Sequence, residues 1–187
     1  MMPATISIIG QGKMGQALAR HFAKAGLSVQ ALGRGQEIVQ GKFVIFAVPY
    51  EDMSSLIYPN QDHFANKIII DISNPLDYQT KTSLLGIDES ASLKLSNLFP
   101  HLTIIKAFNT NFTSRRLLSS ERPLVLMAGN NQSSKNELAK LLEEVYFNTV
   151  DIGDLGRSRD LEAFARVQLA LLEGGHVDPL QSFVLQT

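Results

Sequence analysis

Residues 10–15 read Gly10-Gln11-Gly12-Lys13-Met14-Gly15, between the apolar run Thr5 to Ile9 and a segment of helical periodicity marked by Met14, Ala17, Leu18 and Ala25. A glycine-rich turn that leaves a first strand and opens a helix restricts the fold strongly, because strand and helix must pack closely across a few residues. Gly10 permits the tight turn, Gly12 lets the backbone approach a ligand, and Gly15 allows the close packing. A negative group then sits at the helix N-terminus, facing unpaired N–H groups and the positive end of the dipole. The pattern predicts a dinucleotide site; the competing reading is a turn that uses glycine for backbone freedom alone.

The rest of the chain continues the alternation. Further apolar runs span Ser28 to Leu32, Phe43 to Val48, Lys67 to Ile72, Thr103 to Phe108, Leu124 to Met127 and Phe147 to Ile152. Runs of this length, apolar nearly throughout, suit strands buried on both faces of a parallel sheet. Between them lie helical patterns. Gly26 can end the first with a left-handed cap, and Ser134 with Glu137 can form a capping box before Leu138, Leu141, Leu142 and Val145. The expected fold class is α/β, a doubly wound and mainly parallel sheet with a C-terminal helix.

Two stretches break the rhythm. Gly33 to Lys42 is too short for a full helix-plus-strand crossover, and Leu76 to Pro100 reads as a loop carrying a short helix or two. After Gly156 a helix runs to about Glu173, closed by Gly174 and Gly175. Leu161, Phe164, Ala165, Leu169 and Leu172 share one face of it. Val167, Ala170 and Leu171 form a second flank that can pack on the sheet or in another subunit of a homodimer. With 187 residues, the expected organisation is one dinucleotide-binding domain over 1–187, with 157–174 as its terminal helix.

Composition narrows the function. Seventeen Lys and Arg against eighteen Asp and Glu, with no basic block, argue against a nucleic-acid partner. The absence of cysteine excludes disulfides, thiolate metal sites and thiol nucleophiles. His21, His63, His101 and His176 are not spaced as metal ligands, so no metal is expected. No apolar run approaches a membrane span and the start lacks a signal pattern, so the chain is expected to be cytoplasmic and free of membrane.

About twenty residues after the glycine turn, an NAD-binding chain carries Asp or Glu for the ribose hydroxyls. Here stand Leu32, Gly33, Arg34 and Gly35. A cation without an acid suits the 2'-phosphate of NADP; the alternative is a solvated surface arginine.

The chain resembles the NADPH-dependent reductases of the deazaflavin coenzyme F-420, and the related oxidoreductase domain of six-transmembrane metalloreductases. The resemblance rests on Ile9 to Ala19, Ala47-Val48-Pro49, Asp71-Ile72-Ser73-Asn74-Pro75-Leu76-Asp77 and Lys106-Ala107-Phe108-Asn109-Thr110. It continues through Met127 to Asn131 and Val150 to Glu162. The resemblance implies a Rossmann dinucleotide-binding fold in which Gln11 to Met14 line the pyrophosphate, Gly33 and Arg34 the 2'-phosphate, and Ala47, Val48 and Pro49 the adenosine side. Asn74 and Pro75 would flank the nicotinamide, with Ala107, Phe108 and Asn109 nearby.

Three departures stand out. Gly33 replaces the serine or threonine common in that family, the segment after Arg34 is shortened by about a helix and an edge strand, and Leu84 to Pro100 carries no acceptor motif. The implied function is an NADP(H)-binding oxidoreductase passing a hydride between NADPH and a deazaflavin, a flavin or another small-molecule redox acceptor. The alternative is an NADP-binding sensor or scaffold without turnover. No catalytic residue is assigned, because direct hydride transfer to a flavin-like ring need not use a protein acid or base.

Overall fold

The computed structural model describes residues 5–33, 39–77, 79–111 and 122–177. The seven apolar runs are strands of one sheet: β1 (Ile6–Ile9), β2 (Val29–Leu32), β3 (Phe43–Phe46), β4 (Ile68–Asp71), β5 (Thr103–Ala107), β6 (Leu124–Gly129) and β7 (Asn148–Asp151). Their order is β2-β1-β3-β4-β5-β6-β7. The inner strands are apolar on both sides because helices cover both faces. On one face Ile6, Ile8, Ile68 and Ile70 pack with α1 (Lys13–Lys24) and α5 (Gln132–Glu144). On the other, Ile9, Val44, Phe46 and Ile69 pack with α2 (Tyr50–Ile57), α3 (Gln61–Phe64) and α4 (Ala91–Leu98). The last helix, α6 (Ser158–Glu173), lies against α4 and β6.

The first five strands are parallel, with Ile6 beside Val29 and Phe43, and Ile68 beside Phe43 and Thr103. The sheet is therefore mainly parallel, with one departure: β6 runs antiparallel to β5, Lys106 facing Ala128, and β7 follows β6. The consequence for function lies in the other strands. The C-terminal ends of β1, β3, β4 and β5 all open at the same edge, and the order reverses between β2 and β3 on either side of β1, which is where such sheets bind ligands.

The short link from Gly33 to Lys42 has a physical explanation. Strands β2 and β3 both flank β1, so the chain has one strand to cross, and the described residues 40 and 41 lie close against β1 and β2. A Cβ on Gly41 would lie 2.4 Å from the Ser7 nitrogen. The Gly41 amide donates to Ser7 Oγ at 2.8 Å, and Gln30 Oε1 accepts from both the Ser7 hydroxyl at 2.6 Å and the Gln40 amide at 2.9 Å. Among the described residues β2 is left as the outermost strand.

Two helix ends can be compared with expectation. Helix α1 stops as predicted, with Gly26 at φ 90° after Ala25. The start of α5 is a correction. Asn131, not Ser134, is the cap, its Oδ1 accepting from the Ser134 amide at 2.9 Å, and Glu137 pairs with Lys42 instead of closing a capping box. Both residues can cap a helix, and the first available one, three residues earlier, takes the role. In α6, Leu161 and Ala165 are buried, Phe164, Leu169, Leu171 and Leu172 are half-buried, and Val167 and Ala170 face solvent. Among the described residues no helix is long and apolar enough to cross a membrane.

Candidate functional site

The turn after β1 has the stereochemistry of its three glycines. Gly10 has φ 114°, and a Cβ there would lie 2.2 Å from the Ala47 carbonyl oxygen. A Cβ on Gly15 would meet the Gly10 carbonyl oxygen at 2.1 Å, so helix, turn and the end of β3 are in backbone contact. Gly12 differs, since nothing lies within 4 Å of a Cβ built there. It precedes α1 at φ −69° and ψ 179°, with no side-chain cap and no acidic residue in the first helical turn. The first turn of this twelve-residue helix thus gives its N–H groups neither a capping side chain nor an acidic residue of its own, the arrangement that favours an anion.

Beside this turn lies a cavity of about 280 Å³. Its walls come from the converging strand ends: Met14 at the start of α1, Ala47, Val48 and Pro49 after β3, Ser73 and Asn74 after β4, and Phe108, Asn109 and Asn111 after β5. Tyr50 and Glu51 of α2, Ile72 and Leu76 complete the lining. Of the residues singled out in the sequence, Met14, Ala47, Val48, Pro49, Asn74, Phe108 and Asn109 meet here. The others lie around it. Gln11, Gly12 and Lys13 are exposed at the turn, Gly33 is half-buried past the end of β2, Pro75 is buried behind Asn74, and Ala107 is buried in β5. Arg34 lies outside the described residues.

The tips of β4 and β5 are joined by a reciprocal amide pair. Asn74 Nδ2 donates to the Asn109 carbonyl at 2.8 Å, and Asn109 Nδ2 donates to Asn74 Oδ1 at 3.0 Å. Phe108, between them and the core, adopts φ 60°, unusual for a bulky residue. The conformation sends its ring into the core, 5.4 Å from Phe147 in an edge contact, while its carbonyl accepts from the Asn111 amide at 2.9 Å. Ser73 Oγ, Asn109 Oδ1 and Asn111 Oδ1 are buried without a hydrogen-bond partner, and all three residues line the cavity. Oxygens left unmade in this way are costly unless a ligand or its water completes them.

Beneath this tip lies a feature that the sequence did not reveal. Lys106, fully buried in β5, points its ammonium at Asp71 Oδ2 (3.0 Å), Glu162 Oε1 (2.8 Å) and the Ser73 carbonyl (2.6 Å), using all three donors. Asp71 also accepts from the Ser73 amide at 2.8 Å and the Ser92 hydroxyl at 2.6 Å, and Glu162 accepts from the Ala91 amide at 3.0 Å. Burial pushes the Glu162 carboxyl above its usual range, with Asp71 adding to the shift and Lys106 opposing it. Burial acts to strip Lys106 of its proton, but the two carboxylates outweigh it and hold the ammonium above its ordinary value. A signal for this cluster exists in the sequence: a lysine inside Ile104-Ile105-Lys106-Ala107 needs an anion. Its partners, 35 and 56 residues away, could not be located without the fold. On the cavity wall, burial also raises the Tyr50 hydroxyl, with Lys94 opposing and the acids Glu89, Glu162 and Glu51 adding.

A doubly wound sheet with a glycine turn opening at its switch point defines the Rossmann class of dinucleotide-binding domain. Residues 5–56 match the NAD binding domain of 6-phosphogluconate dehydrogenase. The chain is homologous to reductases. It is 27% identical to metalloreductase STEAP3 of Rattus norvegicus over 94% of this chain and 38% of that protein. It is 26% identical to the F420-dependent NADP reductase of Methanocaldococcus jannaschii over 71% of this chain and 62% of that one. It therefore spans only part of the length of the curated relatives it matches. Among solved structures, a candidate F420-dependent NADP reductase from Arthrobacter sp. FB24 shares the fold, with a TM-score of 0.80 at 20% identity, covering 98% of this chain and 100% of that one.

Proposed function

We propose that this chain binds NADP(H) across the glycine turn and the adjoining cavity and serves as an oxidoreductase that passes a hydride between NADPH and a small redox acceptor. The observation that carries the reading is the turn itself. Two of its glycines are fixed by backbone contact, while the third leaves open space before an uncapped helix N-terminus, as a pyrophosphate requires. Gly10, Gln11, Gly12, Lys13, Met14 and Gly15 would hold the pyrophosphate, and Ala47, Val48 and Pro49 the adenosine side. Asn74 and Pro75, with Ala107, Phe108 and Asn109 close by, would hold the nicotinamide end, where the unpaired oxygens suit a carboxamide.

The bound nicotinamide supplies the hydride, and the protein's contribution is to bind, orient and exclude water. The relatives support NADP over NAD, as does Arg34 with Gly33 and no acid beside them. Arg34→Ala is expected to weaken NADPH binding by roughly ten- to a hundredfold while leaving NADH binding nearly unchanged, the loss of one charge-assisted contact. Equal losses for the two nucleotides in a fluorescence titration would contradict the assignment.

Gly12→Val tests the turn separately from stability. Its backbone angles suit a β-branched residue and its surroundings are empty, so unfolding free energy should fall by no more than about 1 kcal/mol, the difference between Gly and Val at a helix N-cap. NADPH affinity should nevertheless fall at least about tenfold, because the new side chain occupies the pyrophosphate position.

The acceptor is a deazaflavin, in keeping with the relative from Methanocaldococcus jannaschii, or a flavin, quinone or ferric chelate, the last in keeping with the metalloreductases. Steady NADPH oxidation with one of these acceptors, measured across the panel, is the expected result. Binding without turnover on every acceptor would favour a sensor or scaffold instead.

A further inference from the structure

The buried cluster below the cavity holds the Ser73 backbone at both ends. Asp71 Oδ1 accepts from the Ser73 amide at 2.8 Å, and Lys106 Nζ donates to the Ser73 carbonyl at 2.6 Å. Both of these groups are at 0% exposure, and Glu162 is at 3%. Taking three ionisable side chains out of water is expensive, and an ion cluster of this kind is poor support for stability compared with apolar packing. What the cluster does provide is fixed geometry. Glu162 links it to α6, and through the Ala91 amide to the start of α4, so the sheet and two helices meet under one residue. With its main chain held from below, Ser73, one of the residues lining the cavity, keeps a buried hydroxyl that no protein group takes up.

We propose that Lys106, Asp71 and Glu162 are positioning residues that fix the Ser73–Asn74 tip against the nicotinamide end of the bound cofactor, whose carboxamide takes up the Ser73 hydroxyl. The proposal rests on the reading of the cavity as an NADP(H) site. It goes beyond that reading by assigning a role to a helix, α6, that does not itself line the cavity. The cluster acts on one end of the cofactor only, because the adenosine side is built from the ends of other strands.

Two ligands test this: NADPH, and adenosine 2',5'-bisphosphate, which carries the adenosine end without the nicotinamide. Glu162→Ala, which removes one of the three partners of Lys106, should raise the dissociation constant for NADPH about tenfold and that for the bisphosphate by less than about twofold. Glu162→Gln keeps an acceptor oxygen for Lys106 and Ala91 and should restore most of the NADPH affinity. Ser73→Ala leaves the cluster intact and folds whatever becomes of the Glu162 variants; it should weaken NADPH about three- to tenfold, the size of one neutral hydrogen bond, without touching the bisphosphate. Equal losses on both ligands in Glu162→Ala, or unaltered NADPH binding in Ser73→Ala, would overturn the proposal while the cofactor assignment stood. Failure of the unmodified protein to bind NADPH would overturn both.

Discussion

Lys106→Met is expected to lower the unfolding free energy by about 3–5 kcal/mol, the cost of leaving buried carboxylates without their cation. For a chain of this size the melting temperature should fall by roughly 6–20 °C. Lys106 is the sole cation of its cluster, and Asp71 and Glu162, at 0% and 3% exposure, cannot turn to water. The loss should shrink as the pH falls. Burial already holds the Glu162 carboxyl above its ordinary range, and its protonation removes one orphaned charge, so the variant gains relative to the parent protein toward acid. Adding Asp71→Asn to Lys106→Met should recover part of the stability at neutral pH by the same logic. Denaturation curves at neutral and acidic pH check this, and a loss below about 1 kcal/mol at neutral pH would mean that the cluster relaxes or admits water.

Gly10→Ala should be almost as damaging. The residue sits at φ 114°, and the added methyl would approach the Ala47 carbonyl oxygen at 2.2 Å and its carbon at 2.7 Å, both of them backbone atoms that cannot rotate away. Left-handed strain and overpacking each cost about 1–3 kcal/mol, giving a total of about 2–6 kcal/mol. Moving Ala47 also displaces the wall of the cavity, so NADPH affinity should fall together with thermal stability. The contrast with Gly12→Val, two residues along, is the informative one. There affinity falls while stability holds to within about 1 kcal/mol, and the pair separates a glycine needed by the fold from one needed by the ligand. A Gly10→Ala protein as stable as its parent would show that the turn is looser than its contacts indicate.

Most of the fold was legible because its signals are local. Each apolar run became a strand with ends within two residues of expectation, and Gly26 ended α1 through a conformation that glycine adopts cheaply. The reversed direction of β6 was not legible, since an apolar run carries no record of its direction in the sheet. The start of α5 was misplaced because Asn131 and Ser134 are both competent caps, and the earlier of the two takes the role, leaving Ser134 buried inside the helix.

At the site, motif strings located the strand tips that meet around the cavity, from Ala47 to Pro49 and at Asn74, Phe108 and Asn109. They ran through Ser73 without giving it a role and stopped one residue short of Asn111, because the unpaired oxygens of both are visible only in three dimensions. They contained Lys106 and both of its partners, Asp71 and Glu162, without bringing the three together. In α6, Ser158, Glu162 and Gln168 lie on the same buried face as Leu161 and Ala165, so a reading that counted apolar residues alone saw the stripe and missed the carboxylate within it.

The most direct test of the cofactor site is a titration of the nucleotide-free protein with NADPH and with NADH, followed by nicotinamide fluorescence, which no tryptophan obscures. Saturable binding of NADPH, at least about tenfold tighter than that of NADH, is the expected result. The absence of binding by either nucleotide would contradict the assignment of the glycine turn and cavity to a dinucleotide.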